Sequence, residues 1–211
     1  MLDDYRNTKY CPILMDVAQK KTELKRCIES DHPGIEDMHQ YVSKNDGPYK
    51  KLFMEIYNNK CAYCGVSLSI IPKRMFEVDH FVHEKADEFP NKAAASHMDN
   101  LVLGCHFCNR YKREFFIPPE QRDSLHPDLD GIKKSFVRDN HYYIKISETQ
   151  KNNATINAFY TKAKLGAEIH RLDYLLINAY GLLDKLSEKP ELYLKLDKAI
   201  KLLQSKRNAM G

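Results

Sequence analysis

Four cysteines fall in two tight pairs, Cys61-Ala62-Tyr63-Cys64 and Cys105-His106-Phe107-Cys108, and Val78-Asp79-His80 lies between them. Asn109 follows the second pair directly. Two such knuckles supply four thiolates, a complete tetrahedral shell for Zn²⁺. A closed Cys₄ shell leaves no open coordination position, so an ion held by Cys61, Cys64, Cys105 and Cys108 is structural. It pins the ends of the 40-residue segment between Cys64 and Cys105. Chemistry then falls to the polar side chains that the ion gathers: Asp79, His80 and Asn109. Alternate residues of a strand face opposite sides, so His80 points away from Asp79 unless the backbone distorts there.

Three stretches, Val78-Asp79-His80, Asn100-Leu101-Val102-Leu103-Gly104-Cys105 and Cys108-Asn109-Arg110-Tyr111-Lys112, together resemble the HNH, or ββα-metal, endonucleases. The order Cys-x-x-Cys, Asp-His, Asn-Leu, Cys-x-x-Cys-Asn is similar to their zinc-stapled branch, which includes a phage Holliday-junction resolvase. This likeness covers about residues 50–117. A weaker one continues through His126-Pro127 and Thr155-Ile156-Asn157 and is similar to the HNH subunits of Septu-type and retron-associated anti-phage systems. Residues 1–45 match nothing in it.

The resemblance implies that His80 is the general base that deprotonates the attacking water, a role suited to an imidazole of pKa near ~6.5. It implies that Asn100 is buried and braces the loop carrying that histidine. Phosphodiester hydrolysis also needs a cation to neutralise charge on the phosphate and the leaving oxygen. A hard ion such as Mg²⁺ keeps its other positions for water and phosphate. Asp79 supplies a carboxylate for it and Asn109 a neutral oxygen. Many HNH enzymes have histidine at the position of Asn109, whereas the resolvase-like branch has asparagine. An amide oxygen favours Mg²⁺ or Mn²⁺ over Zn²⁺ or Ni²⁺. Lys112, Arg110 and Arg113 are candidate substrate contacts, and His83 is a candidate supporting residue. His97 and His106 read as exposed and inert, and His126 as at most an indirect support. The function implied is a metal-dependent DNA endonuclease acting in bacterial defence against phage. Its implied partner is an ABC-type ATPase subunit, with or without retron components. Two alternatives stay open: a stand-alone restriction-type nuclease, and a zinc-ribbon scaffold without catalysis.

Net charge is +4, unevenly spread: residues 151–211 carry eleven basic and six acidic side chains, whereas residues 61–150 carry twelve and thirteen. DNA binding would therefore rest on local clusters, Arg110-Tyr111-Lys112-Arg113, Lys133-Lys134 and the C-terminal helices. No stretch approaches the ~18 apolar residues of a membrane helix. With no basic, apolar leader and with paired CxxC spacing, the expected compartment is the reducing cytoplasm. Cys11 and Cys27 read as small buried residues.

The elements that must position the site follow from periodicity. An amphipathic helix is expected over 12–29 from Pro12, a short one over 35–43, and a third through Leu52, Phe53, Ile56 and Tyr57 into the first knuckle. Met75-Phe76-Glu77-Val78 reads as a strand and 108–114 as a helix. A β-hairpin is expected over 136–146 with Asp139-Asn140 at its turn. Thr155 reads as the N-cap of a helix of about 30 residues, whose stripe of Leu165, Ile169, Leu172, Leu176, Ala179, Leu183 and Leu186 pairs with Leu192, Leu196, Ala199 and Leu203. That stripe is longer than its partner, so its start around Leu165, Ile169 and Leu172 is expected to pack on the nuclease unit or on another subunit, a homo-oligomer included. The class expected is α+β, divided into an N-terminal helical segment (1–47), a zinc-stapled unit (48–118), and a β-hairpin with a helical hairpin (119–211).

Overall fold

The computed structural model describes residues 4–11, 14–186 and 188–210. The chain is mixed helix and sheet. Three helices, α1 (Val17–Asp31), α2 (His39–Val42) and α3 (Pro48–Ile56), precede strand β1 (Phe76–His80). A short α4 (Lys92–Ala95) leads to β2 (Leu101–Cys105) and directly into α5 (His106–Lys112). Two short helices, α6 (Arg122–Leu125) and α7 (Gly131–Ser135), come before the strand pair β3 (Phe136–Arg138) and β4 (Ile144–Ile146). Three helices close the chain: α8 (Ala154–Lys162), α9 (Glu168–Leu183) and α10 (Pro190–Asn208). Among the described residues, no helix is long and apolar enough to cross a membrane.

The strands are antiparallel, with Glu77 opposite Gly104 and Asp79 opposite Val102. β2 is buried throughout, so it sits inside the molecule with elements on both faces. One of these is α1, whose inward stripe is Val17, Lys21, Leu24 and Ile28. Lys21 is an inward lysine: its ammonium meets Asp128 at 2.6 Å and the Leu101 carbonyl at 2.8 Å, which fastens α1 to the start of β2. One hydrophobic cluster runs from Tyr5 to Leu165 and takes in both knuckles, both strand pairs and the N-terminal helices. The N-terminus braces the first knuckle. Tyr5 donates to the Tyr63 carbonyl, and the Arg6 guanidinium donates to the carbonyls of Ala62 and Pro127. Gly65 turns the knuckle at φ 80 and lies so close to the Arg6 backbone that a Cβ would collide with it.

Several boundaries differ from the sequence pattern. Pro12 lies outside the described residues, and the first helix begins at Val17, after Asp16 in a left-handed conformation (φ 53). The helix expected over 35–43 shrinks to α2 because the Met38 amide bonds the Ser96 carbonyl instead of an earlier turn. Asn153, not Thr155, caps α8, its side chain accepting from the Thr155 and Ile156 amides. Cys27 is exposed and Cys11 half-buried, so neither is a core residue.

The largest correction concerns the long helix. The chain breaks after Lys162: Lys164 takes φ 51, and Gly166 packs so tightly on the Tyr160 ring that any side chain would clash. The leucine spacing continues across the break, but α9 has 16 residues against 19 in α10, so no overhang remains. Leu165, Ile169 and Leu172 are buried within this chain. Ile169 shares a cleft with Val66, Ile71 and Phe107 from the segment that carries the knuckles. Ile169→Lys is therefore expected to destabilise the monomer by on the order of 3 kcal/mol, read as a lower midpoint in urea. An unchanged midpoint would show that Ile169 contributes no core contact.

Candidate functional site

The four knuckle sulfurs converge from two directions. Cys61 and Cys64 come from the turn after α3, and Cys105 and Cys108 from the β2–α5 junction. All four are buried, and their sulfurs lie within 4.8 Å of one another, Cys64 and Cys105 at 3.8 Å. Tetrahedral Zn²⁺ with Zn–S bonds of about 2.3 Å puts its sulfurs about 3.8 Å apart. Donor type, number and spacing therefore fit zinc. The Cys108 amide points at the Cys105 sulfur at 3.5 Å, and the start of α5 adds a positive dipole end, both favourable to thiolate. Burial works against ionising Cys61, yet hydrogen bonds from Cys105, Cys108 and Cys64 outweigh it and draw that thiol well below its ordinary range, whereas Cys64, Cys105 and Cys108 are pushed up, so without an ion the cluster favours one thiolate and three thiols.

His170 of α9 closes the cluster from the C-terminal side. It is 2% exposed, and its Nε2 lies 3.9 Å from the Cys108 sulfur. Burial pulls its pKa down to about 4, so it is a neutral ring that can donate to the thiolate and orient it.

The two faces of β1 carry different chemistry. Glu77 and Asp79 share one face, under α5. Gly104 lies beneath them, and a Cβ there would stand 3.6 Å from the Asn109 Cβ and 3.8 Å from the Asp79 Cβ. The Asp79 and Asn109 side chains thus start next to the same glycine. The Asn109 amide donates to Glu77 Oε2 at 2.6 Å, which holds Nδ2 on Glu77 and leaves Oδ1 free of that bond. His106, expected to be inert, bonds the other Glu77 oxygen at 2.7 Å.

Asp79 is buried and doubly held: Tyr63 donates to Oδ2 at 2.6 Å, and the Lys112 ammonium lies 3.0 Å from the same oxygen. Burial pushes the Asp79 pKa up, and Lys112 and Tyr63 only partly offset this. Lys112 also donates to the His80 carbonyl at 2.8 Å, so one cation clamps both residues of the Asp-His pair. This corrects the reading of Lys112 as a phosphate contact, because at 1% exposure its ammonium is spent inside the protein.

His80 occupies the opposite face. β1 runs regularly to it, paired with Leu101, so no distortion turns its ring towards Asp79. The ring instead bonds Ser96 Oγ at 3.0 Å and stacks on His39 of α2, with centroids 4.8 Å apart. The Ser96 hydroxyl gives its one proton to the Lys92 carbonyl, so it accepts from His80 Nε2–H, and Nδ1 keeps the lone pair. Burial first, and then His39, depress the His80 pKa to about 4, well under the ~6.5 expected from the sequence. The ring is neutral at pH 7 and able to accept a proton.

Asn100 sits where the resemblance implied. It is buried, accepts from the Val82 amide, and donates to the carbonyls of Val82 and Ala95, which fixes the loop after His80. His83 is half-buried, in a surface hollow with Lys85, Ala86 and Phe116, and does not reach the Asp79 cluster. Arg110 and Arg113 are exposed on the outer side of α5, and His97 is exposed as expected. His126 bonds the Asp99 carbonyl beside Phe81 and does not enter the site.

Sequence reasoning missed Glu77, Tyr63, His39, Ser96 and His170. Glu77 alone had a signal, being two residues before Asp79 and so on its face of the strand. Glu77→Ala frees the Asn109 amide to rotate. Where Asp79 and Asn109 hold a divalent ion, as their donor types allow, the substitution is expected to weaken Mg²⁺ affinity about 10- to 100-fold, measured by metal-induced stabilisation. Unchanged metal dependence would remove Glu77 from the site.

Compared with protein-family models, curated proteins and solved structures, the chain matches none of them.

Proposed function

We propose that the chain is a metal-dependent endonuclease of the HNH type that hydrolyses DNA phosphodiester bonds. The observation that carries this reading is that Asp79 and Asn109 both start next to Gly104, on a strand pair and helix beside four clustered cysteines. Two hard oxygens, one anionic and one neutral, fit Mg²⁺ or Mn²⁺, and such an ion would neutralise charge on the phosphate and the leaving oxygen. Glu77 orients the amide of Asn109. Lys112 balances the Asp79 carboxylate and must give way when a dication binds there. His80 Nδ1 takes the proton of the attacking water, with Ser96 and His39 holding the ring. Anti-phage defence, with an ABC-type ATPase as partner, is the setting the sequence resemblance favours.

The test is a plasmid-nicking assay on the protein purified with whatever accompanies it, in Mg²⁺, Mn²⁺ and EDTA. Nicked circles with either metal and none in EDTA are expected. Intact plasmid under all three conditions, with zinc content normal, would overturn the reading. One observation favours the scaffold alternative: His80 and Asp79 lie on opposite faces, and Lys112 already pairs Asp79. The same assay separates the two.

A further inference from the structure

The end of α5 and the end of α8 border an open groove of about 560 Å³, lined by Asn109, Arg110, Arg113, Glu114 and Lys162. Glu114 is already ion-paired with Lys85. The groove therefore presents three exposed cations beside the amide of Asn109. Arg113 of the lining and Lys164, two residues beyond Lys162 in the chain, both have positive φ, at 46 and 51. Glycine adopts such conformations more easily than arginine or lysine. Strain of this kind persists only where the surrounding structure holds it, and it is over-represented at binding sites. The Lys164 ammonium lies 3.8 Å from the centroid of the Tyr111 ring, which joins the turn after α8 to α5.

We infer that the DNA path runs from Asn109 along this groove, its phosphates met by Arg110 and Arg113 from α5 and by Lys162 and Lys164 from α8 and its following turn. The inference rests on the nuclease reading and extends the substrate contact into the C-terminal third of the chain. Cations that meet phosphate oxygens position the duplex without reading its bases, so binding along this path is independent of sequence.

The experiment uses the full-length His80→Ala protein, which spares the probe from cleavage. Fluorescence anisotropy measures its affinity for two labelled duplexes of equal length and different sequence across a range of NaCl. Both duplexes are expected to bind alike. Lys162→Gln should weaken binding and lower the slope of log K against log salt by about 0.9, one phosphate contact, and adding Lys164→Gln should lower it by about as much again. Zinc content and the thermal midpoint show that these variants are folded; Lys162→Gln leaves the Tyr111 contact intact and so serves alone if the double variant is unstable.

Arg113→Gly carries a signature of opposite signs: weaker binding, with a thermal midpoint raised by about 2–4 °C as strain is released. Affinity and slope unchanged in Lys162→Gln would overturn the α8 path, and a raised midpoint with unchanged affinity would overturn Arg113 as a contact. Plasmid nicking by the unsubstituted chain tells these failures apart from a failure of the nuclease reading.

Discussion

Cys61→Ser or Cys105→Ser is expected to unfold β1, β2 and α5 together, and with them the site. A structural Zn²⁺ contributes on the order of 10 kcal/mol to folding, and a domain of this size has about 5–15 kcal/mol in all. Losing one of four thiolates therefore removes most of the margin. The structure gives a specific reason for the breadth of the effect. The first knuckle is buried under Tyr5 and Arg6, whose bonds to the Tyr63 and Ala62 carbonyls hold the N-terminus. The second begins α5, which carries Asn109 and Lys112. His170 of α9 rests on Cys108, so the C-terminal helices lose a buried neighbour too. Elemental analysis should find about one zinc per chain, and circular dichroism should show the helical signal of the serine variants collapse. A cleanly folded protein without zinc would refute the Cys₄ assignment.

The cysteine quartet was legible in the sequence because each pair of candidate ligands is local, four residues that any turn brings together. β1 was legible from the short run Met75 to Val78, and the opposed directions of Asp79 and His80 from strand geometry alone; that Leu101–Cys105 is its antiparallel partner came only from the fold. What failed to show was whatever depends on distant partners. Lys112 reads as a surface lysine in any list of residues. Only the fold reveals that its ammonium lies between Asp79 and the His80 carbonyl. His39 comes from a segment with no family likeness and still packs on His80. The break between α8 and α9 was hidden because Leu165, Ile169 and Leu172 keep heptad spacing through it. The one local sign was Gly166, where the Tyr160 ring leaves no room for a side chain. The depressed pKa of His80 was equally invisible, since it arises from burial and from His39.

His80→Ala is expected to reduce cleavage by about 10² or more, the scale of a lost general base, while zinc content, folding and DNA affinity stay near those of the parent. The structure makes this substitution tolerable: the ring is only partly buried, and its partners Ser96 and His39 keep other bonds, Ser96 to the Lys92 carbonyl and His39 to the Val78 carbonyl. Asp79→Ala should behave differently. It leaves Lys112 buried without its carboxylate, so it costs stability as well as metal binding, on the order of 3 kcal/mol. The pH profile adds an independent check. A ring whose pKa is depressed to about 4 is already neutral at pH 6. Cleavage should therefore show no His80-dependent loss between pH 8 and pH 6, and protonation should silence the base only as pH falls towards 4. An inflection near pH 6.5 would mean that the ring is more solvated during the reaction than in this structure. Full nicking activity in His80→Ala would take the histidine out of the mechanism and require another group to accept the proton of the attacking water.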